Sequence, residues 1–112
     1  AFAAILEDGS VVTWGDANYG GHSSSVQHQL SNVQQIQACS AAFAAIIDDG
    51  TVVTWGDASA GGDSRFVEDQ LKNVQAIQAS RRAFAAVLDD GSVVAWGDPA
   101  SGGDSSAVHD QP

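Results

Sequence analysis

The chain has 112 residues, with 14 acidic residues against 4 basic ones, a formal charge of -10, a single Cys and no Met. That length fits one small domain. There is no apolar run long enough for a membrane-spanning helix, a lone Cys cannot form an internal disulfide or a cysteine zinc site, and so acidic a chain is ill suited to a phosphate backbone. A hydrophobic share of 44% is still enough for a packed core.

The sequence repeats with a period of 41. Phe2, Phe43 and Phe84 mark it, as do Trp14, Trp55 and Trp96, and Gly9, Gly50 and Gly91. Residues 1–41 and 42–82 are identical at 26 of 41 positions without a gap, and a third copy covers 83–112. Such arrays stack units that cannot bury their apolar faces alone. The missing Met and the third copy of 30 residues lead us to expect a processed start or a piece of a longer array.

In chain order, Phe2-Ala3-Ala4-Ile5-Leu6 and Val11-Val12-Thr13-Trp14 flank Asp8-Gly9. Asp-Gly between apolar runs predicts a β-hairpin with a two-residue type I′ turn. That turn would set Leu6 against Val11, Ile5 against Val12 and Ala3 against Trp14, the small Ala leaving room for the indole. The signal recurs at Asp49-Gly50 and Asp90-Gly91. Both hairpin faces are apolar, so both should be covered. Residues 16–21 read as a loop around Gly20-Gly21, and the equivalent Gly pairs should be sharp turns with positive φ. Val26 and Leu30 at helical spacing, after serines able to cap, predict a short helix within 23–30. Val33 to Ala38 reads as a strand entering the next hairpin through Cys39-Ser40-Ala41, although Val33 and Ile36 also fit a continued helix. The unit expected is a three-stranded meander over Val33–Gly56, repeated at Val74–Gly97, with the first hairpin lacking the preceding strand.

The run Val74-x-x-Ile77-x-Ala79, then Phe84-Ala85-Ala86-Val87-Leu88-x-Asp90-Gly91-x-Val93-x-x-Trp96-Gly97, resembles the repeat of the regulator of chromosome condensation family. The period resembles its short-repeat branch, that of β-lactamase-inhibitor-like propellers, and the repeats are also similar to dinoflagellate arrays labelled ubiquitin-ligase-like. The resemblance covers all three copies. It implies a mainly β chain of consecutive antiparallel blades, an incomplete β-propeller of fewer than three full repeats, to which the spacing adds the short helix per repeat; the compartment stays open, with an intracellular or organellar setting favoured over a secreted one. It departs from the family at the Gly-Gln-Leu-Gly-type segment, where this chain has Gly20-Gly21-His22, Gly61-Gly62-Asp63 and Gly102-Gly103-Asp104, and where Ser40-Ala41 and Ser80-Arg81 replace the Gly that closes the first strand. No inserted loop matches the one used for guanine-nucleotide exchange, and no ubiquitin-ligase catalytic segment is present.

The acidic residues recur at turns: Asp8, Asp49 and Asp90 in the hairpins, and Asp16, Asp57 and Asp98 after each Trp-Gly. Asp suits such positions, and a catalytic pair would occur once, so turn chemistry explains them better than a cation or acid–base site. His22, His28 and His109 share no repeat position, and Cys39 aligns with Ser80, so neither metal nor nucleophile chemistry is expected. The three Trp read as core, whereas Tyr19 and Phe66, which break the repeat, read as exposed. No catalytic residue, cofactor or metal is expected, and the chain reads as a non-enzyme.

In a meander the Asp-Gly turns lie on one side, and the loops after Trp-Gly lie on the other with the turns at 39–41 and 80–82. Most positions that vary between copies fall on that second side. Asn18, Tyr19, His22, Ser59, Asp63, Arg65, Phe66, Arg81 and Arg82 are therefore the candidate protein-binding residues. The function expected is a non-catalytic protein-binding repeat module. The alternatives are a structural subunit of a large assembly, of organellar or photosynthetic type, which completes its sheet against other repeats or chains, and the substrate-recognition part of a ubiquitin-ligase-like protein.

Overall fold

The computed structural model describes residues 1–19, 23, 24 and 26–101. It is mainly β: eight strands in three small antiparallel sheets that follow one another without closing, an arrangement consistent with an incomplete propeller. The first sheet pairs β1 (Phe2–Ile5) with β2 (Val11–Trp14). The second is the meander β3 (Val33–Ala38), β4 (Ala42–Ile47) and β5 (Val52–Gly56), and the third repeats it as β6 (Val74–Ala79), β7 (Ala83–Leu88) and β8 (Val93–Gly97). Short 3₁₀ turns occupy the linkers, at Ala17–Tyr19, Gln27–Gln29, Ala58–Ala60, Arg65–Gln70 and Pro99–Ser101.

The hairpins differ from expectation by one residue. Leu6 N–H donates to the Ser10 carbonyl, and Gly9 N–H donates to the Leu6 carbonyl. Only Gly9 has positive φ (84°); Asp8 does not. The loop is therefore three residues long, a type I turn closed by a left-handed Gly, rather than a type I′ turn, which needs two left-handed residues. Asp8 favours this form because its Oδ1 accepts from both the backbone N–H and the hydroxyl of Ser10, at 2.9 and 2.6 Å. Asp49 with Thr51 and Asp90 with Ser92 repeat the pattern.

That single residue changes which side chains meet. Phe2 stands opposite Trp14 and Ile5 opposite Val11, so the indole faces a phenyl ring and not a small Ala. The rings stack at 5.6 Å, and Phe43–Trp55 and Phe84–Trp96 do so at 5.3 and 5.5 Å. Stacked pairs contribute about 0.5–1.5 kcal/mol beyond their buried area.

The strand reading of 33–38 holds, and a β-bulge explains why it also fitted a helix. The register shifts between Val33 and Gln35, and again between Val74 and Ala76. The extra residue puts Val33 and Ile36, three apart, against the same core cluster, with Ile77 and Val74 matching them in the next sheet. The short helix is a 3₁₀ turn whose N-cap residue, Val26 before Gln27–Gln29 and Ser64 before Arg65–Gln70, makes no side-chain cap, and the Ser64 hydroxyl instead meets Thr54 Oγ1 at 3.0 Å. Leu30 and Leu71, which end these turns, are fully buried.

The core lies between sheets, not within them. Phe43, Ala45, Val53 and Trp55 face the first sheet, where they cluster with Val11, Leu30 and Ala3. Ala42, Ala44 and Ile46, on the opposite face of β4, receive Phe84, Ala86, Val94 and Trp96 from the third sheet. Each sheet thus has an aromatic face and a small-residue face, set by period-two alternation. The hairpin turns are tied as well. Val33 N–H donates to the Gly9 carbonyl and Asp48 N–H to the Asn32 carbonyl, both at 3.0 Å; Val74, Gly50, Asp89 and Asn73 repeat the arrangement.

Among the described residues, nothing covers the aromatic face of the first sheet. Phe2 is 66% exposed where Phe84 is 1% exposed. The expectation that both hairpin faces are covered therefore fails for β1–β2, and Trp14, expected in the core, is half exposed. Phe84→Ala should cost about 3–5 kcal/mol, through lost burial and a cavity. Phe2→Ala should cost about 1 kcal/mol or less. Urea unfolding at low protein concentration checks the contrast, and equal losses would contradict this account of the core.

Candidate binding surface

The antiparallel register fixes the two sides of the sheets. Ala42 pairs with Gly56 and Ala83 with Gly97. The residues just beyond therefore meet: Asp57 N–H donates to the Ala41 carbonyl and Asp98 N–H to the Arg82 carbonyl. The loops after Trp-Gly and the turns between the first two strands of each meander share one side, and the Asp-Gly turns occupy the other.

Each loop after Trp-Gly is opened by its Asp. Asp16, Asp57 and Asp98 accept from the backbone N–H of Asn18, Ser59 and Ala100 at 2.9–3.0 Å. Asp57 also accepts from the Ser59 hydroxyl at 2.7 Å. Gly61 ends its turn in the left-handed region (φ 104°), and a side chain is excluded there because a Cβ would also stand 2.5 Å from a Phe84 ring carbon. Its neighbour Gly62 is not left-handed, so only one of the pair needs the positive φ expected of both. The Gly61 carbonyl accepts from the Trp96 indole N–H at 3.1 Å. The loop of one sheet is thereby bonded to the aromatic pair of the next.

Arg82 sits between two such loops. Its guanidinium lies 3.9 Å from Asp57 Oδ2 and 3.5 Å from Asp98 Oδ2, and it donates to Ser59 Oγ at 3.0 Å. Asp63 accepts from the backbone and the guanidinium of Arg65, with the two side chains paired through both carboxylate oxygens at 2.8–2.9 Å. The Arg65 side chain is otherwise in water. Arg81 exposes its side chain while its carbonyl accepts from the N–H and hydroxyl of Ser40, joining the second sheet to the third.

A cleft of about 610 Å³ between the second and third sheets brings together four of the nine candidates, Ser59, Asp63, Phe66 and Arg82, beside Trp96 and Asp98. Phe66 is 96% exposed at its rim. Arg65 and Asp63 border a second cleft of about 620 Å³ along β5, facing Val26 and Gln29. Asn18 and Tyr19 are exposed on the first loop and line neither cleft, and Arg81 stands apart on its turn. His22 lies outside the described residues, as do His109 and Asp104. Asp57 and Asp98 were not among the candidates, yet they hold Arg82; the Ala83–Gly97 register was the signal that joins 82 to 98.

Chemically, the turn and loop carboxylates on both sides of the sheets are already engaged. The Ser10 hydroxyl, aided by the Ser10 N–H, holds Asp8 below the ordinary carboxylate value; Thr51, Ser92 and Ser59 do the same for Asp49, Asp90 and Asp57, and Arg65 does so for Asp63. Among the described residues no group of three or more His, Cys, Asp or Glu could hold a metal ion. Cys39 donates its thiol to the Ala60 carbonyl at 3.2 Å. No helix among the described residues is long and apolar enough to cross a membrane. No protein-family model matches the chain, and no curated protein does.

The depressed carboxylates set the sign of an acid response. The unfolded chain binds more protons than the folded one through the carboxylate range, so stability is full above the ordinary value of 3.8 and is lost as pH falls through the lower folded values. Replacing Asp8, Asp49 and Asp90 together by Asn should flatten that loss. Urea midpoints of the chain and the triple variant, compared from neutral pH down to strong acid, check this; parallel curves would contradict it.

Proposed function

We propose that the chain is a non-catalytic repeat module, built on propeller blades of the type seen in the regulator of chromosome condensation family, that binds another protein through the loop side of its sheets. The observation that carries this reading is the cleft holding Ser59, Asp63, Phe66 and Arg82 with an almost wholly exposed phenyl ring at its rim. Aromatic side chains, Phe included, and Arg are among the residues enriched at protein interfaces. The sheets supply a fixed frame, and most of the residues that differ between copies lie on the loops that the frame positions. The turn carboxylates are engaged with backbone and hydroxyl groups, which is a structural use of them.

In pull-downs with the purified chain, Phe66→Ala should weaken capture of the bound protein by at least about tenfold. Tyr19→Ala and Arg81→Ala test how far the surface extends. Asp89→Ala, on the opposite side, should leave capture unchanged. Capture that survives Phe66→Ala but is lost with Asp89→Ala would move the surface to the Asp-Gly side and overturn this reading.

A further inference from the structure

The two interfaces inside the chain are one interface used twice. In each, the aromatic face of a sheet seats on the small-residue face of the sheet before it: Phe43, Val53 and Trp55 on the first sheet, and Phe84, Val94 and Trp96 on the second. The receiving faces correspond too, with Ala3 and Val11 in one and Ala42, Ala44, Ile46 and Val52 in the other. Among the described residues, each end of the stack exposes the hairpin part of one half of this interface; the first sheet has no strand equivalent to the one that adds Val33 and Ile36, or Val74 and Ile77, to the interior contacts. The first sheet shows the aromatic half, with Phe2, Val12 and Trp14 exposed by 66%, 44% and 50%. The third shows the receiving half, Ala85, Val87, Val93 and Ala95, with Val87 and Val93 exposed by 37% and 38%. Val87 and Val93 stand where Ile46 and Val52 receive the aromatic pair of the next sheet.

We propose that the aromatic face of β1–β2 docks on the outer face of β7–β8 of a second copy of this chain, extending the stack head to tail. The occupant follows from continuity with the interface already built twice within the chain. No other surface described here has the Ala-and-Val relief onto which the Phe–Trp pair is seen to fit. Because the two halves differ, the contact is heterologous: aromatic on small, never aromatic on aromatic. Heterologous contacts close rings or propagate as filaments, and two copies would bring six sheets together, within the 4–8 of known propellers. Both copies carry a charge of -10, so screening by salt should strengthen the contact. This proposal is independent of the loop-side binding surface.

The test is the mass of the 112-residue chain across a concentration series, by sedimentation or light scattering, with tryptophan emission read in parallel. Trp55 and Trp96 are already buried, so Trp14 alone should report. The expected result is association that rises with concentration and with salt, accompanied by a blue shift and loss of iodide quenching. Trp14→Glu and Val87→Glu, both at exposed positions, should each leave only monomer. Mixed one to one, they should form a single heterodimer and nothing larger, since one intact aromatic face and one intact receiving face remain. Circular dichroism confirms that each variant keeps its fold, and recovery in the mixture shows that each retains its other face. A wild-type chain that stays monomeric at every concentration overturns the proposal. So does a Val87→Glu variant that still self-associates, because that would place aromatic face on aromatic face.

Discussion

A stacked Phe–Trp pair seated on the small residues of the preceding sheet is the contact on which the rest of the structure depends. Neither three-stranded sheet has a core of its own; what each buries, it buries against a neighbour. The alternation along β4 makes this possible, with Phe43 and Ala45 turned one way and Ala42, Ala44 and Ile46 the other. Had both faces carried bulky rings, neighbouring sheets could not approach closely enough for the Trp96 indole to reach the Gly61 carbonyl. The asymmetry also gives the stack a direction, which a symmetric pattern of side chains would lack.

Around that contact the polar residues serve geometry. The negative charge, large for so short a chain, gathers largely at hairpin turns and loop starts, where Asp8, Asp49 and Asp90, and Asp16, Asp57 and Asp98, occupy donors that a turn would otherwise leave to solvent. Arg82 ties two of those loops together at the level of the third sheet. The linkers work similarly: the Gln27 side chain donates to the Val11 carbonyl on the outer strand of the first sheet, which occupies part of an edge open to foreign pairing.

Much of the architecture was legible in the sequence because the repeat shows each signal two or three times. The meander, its strand at 33–38 and the exposure of Tyr19 and Phe66 could all be read from spacing. The hairpin register could not. Asp-Gly fits a two-residue loop as well as the last two positions of a three-residue loop, and the hydroxyl two residues after Asp decides between them. That one residue moved Trp14 from Ala3 to Phe2. The bulge at β3 was hidden for a similar reason: residues three apart on one strand face are indistinguishable from a helical stripe until the register is known. On the loop side, single residues were identifiable as unusual, but their grouping was not. Ser59, Asp63, Phe66 and Arg82 are spread over 24 positions and meet only because two consecutive sheets pack together.

Asn32 and Asn73 hold the left-handed region at the same φ of 56°. Each is clasped between the hairpin turn of one sheet and that of the next. A Cβ on Gly9 or Gly50 would stand 3.0 Å from the Cα of that Asn, so the turn and the pivot leave each other little play. The chain therefore makes the same left-handed bend at the same place before the second and the third sheet, which helps to give both the same approach to the sheet before. A glycine at either Asn would keep the path open while loosening the angle, turning a fixed arc into a hinge.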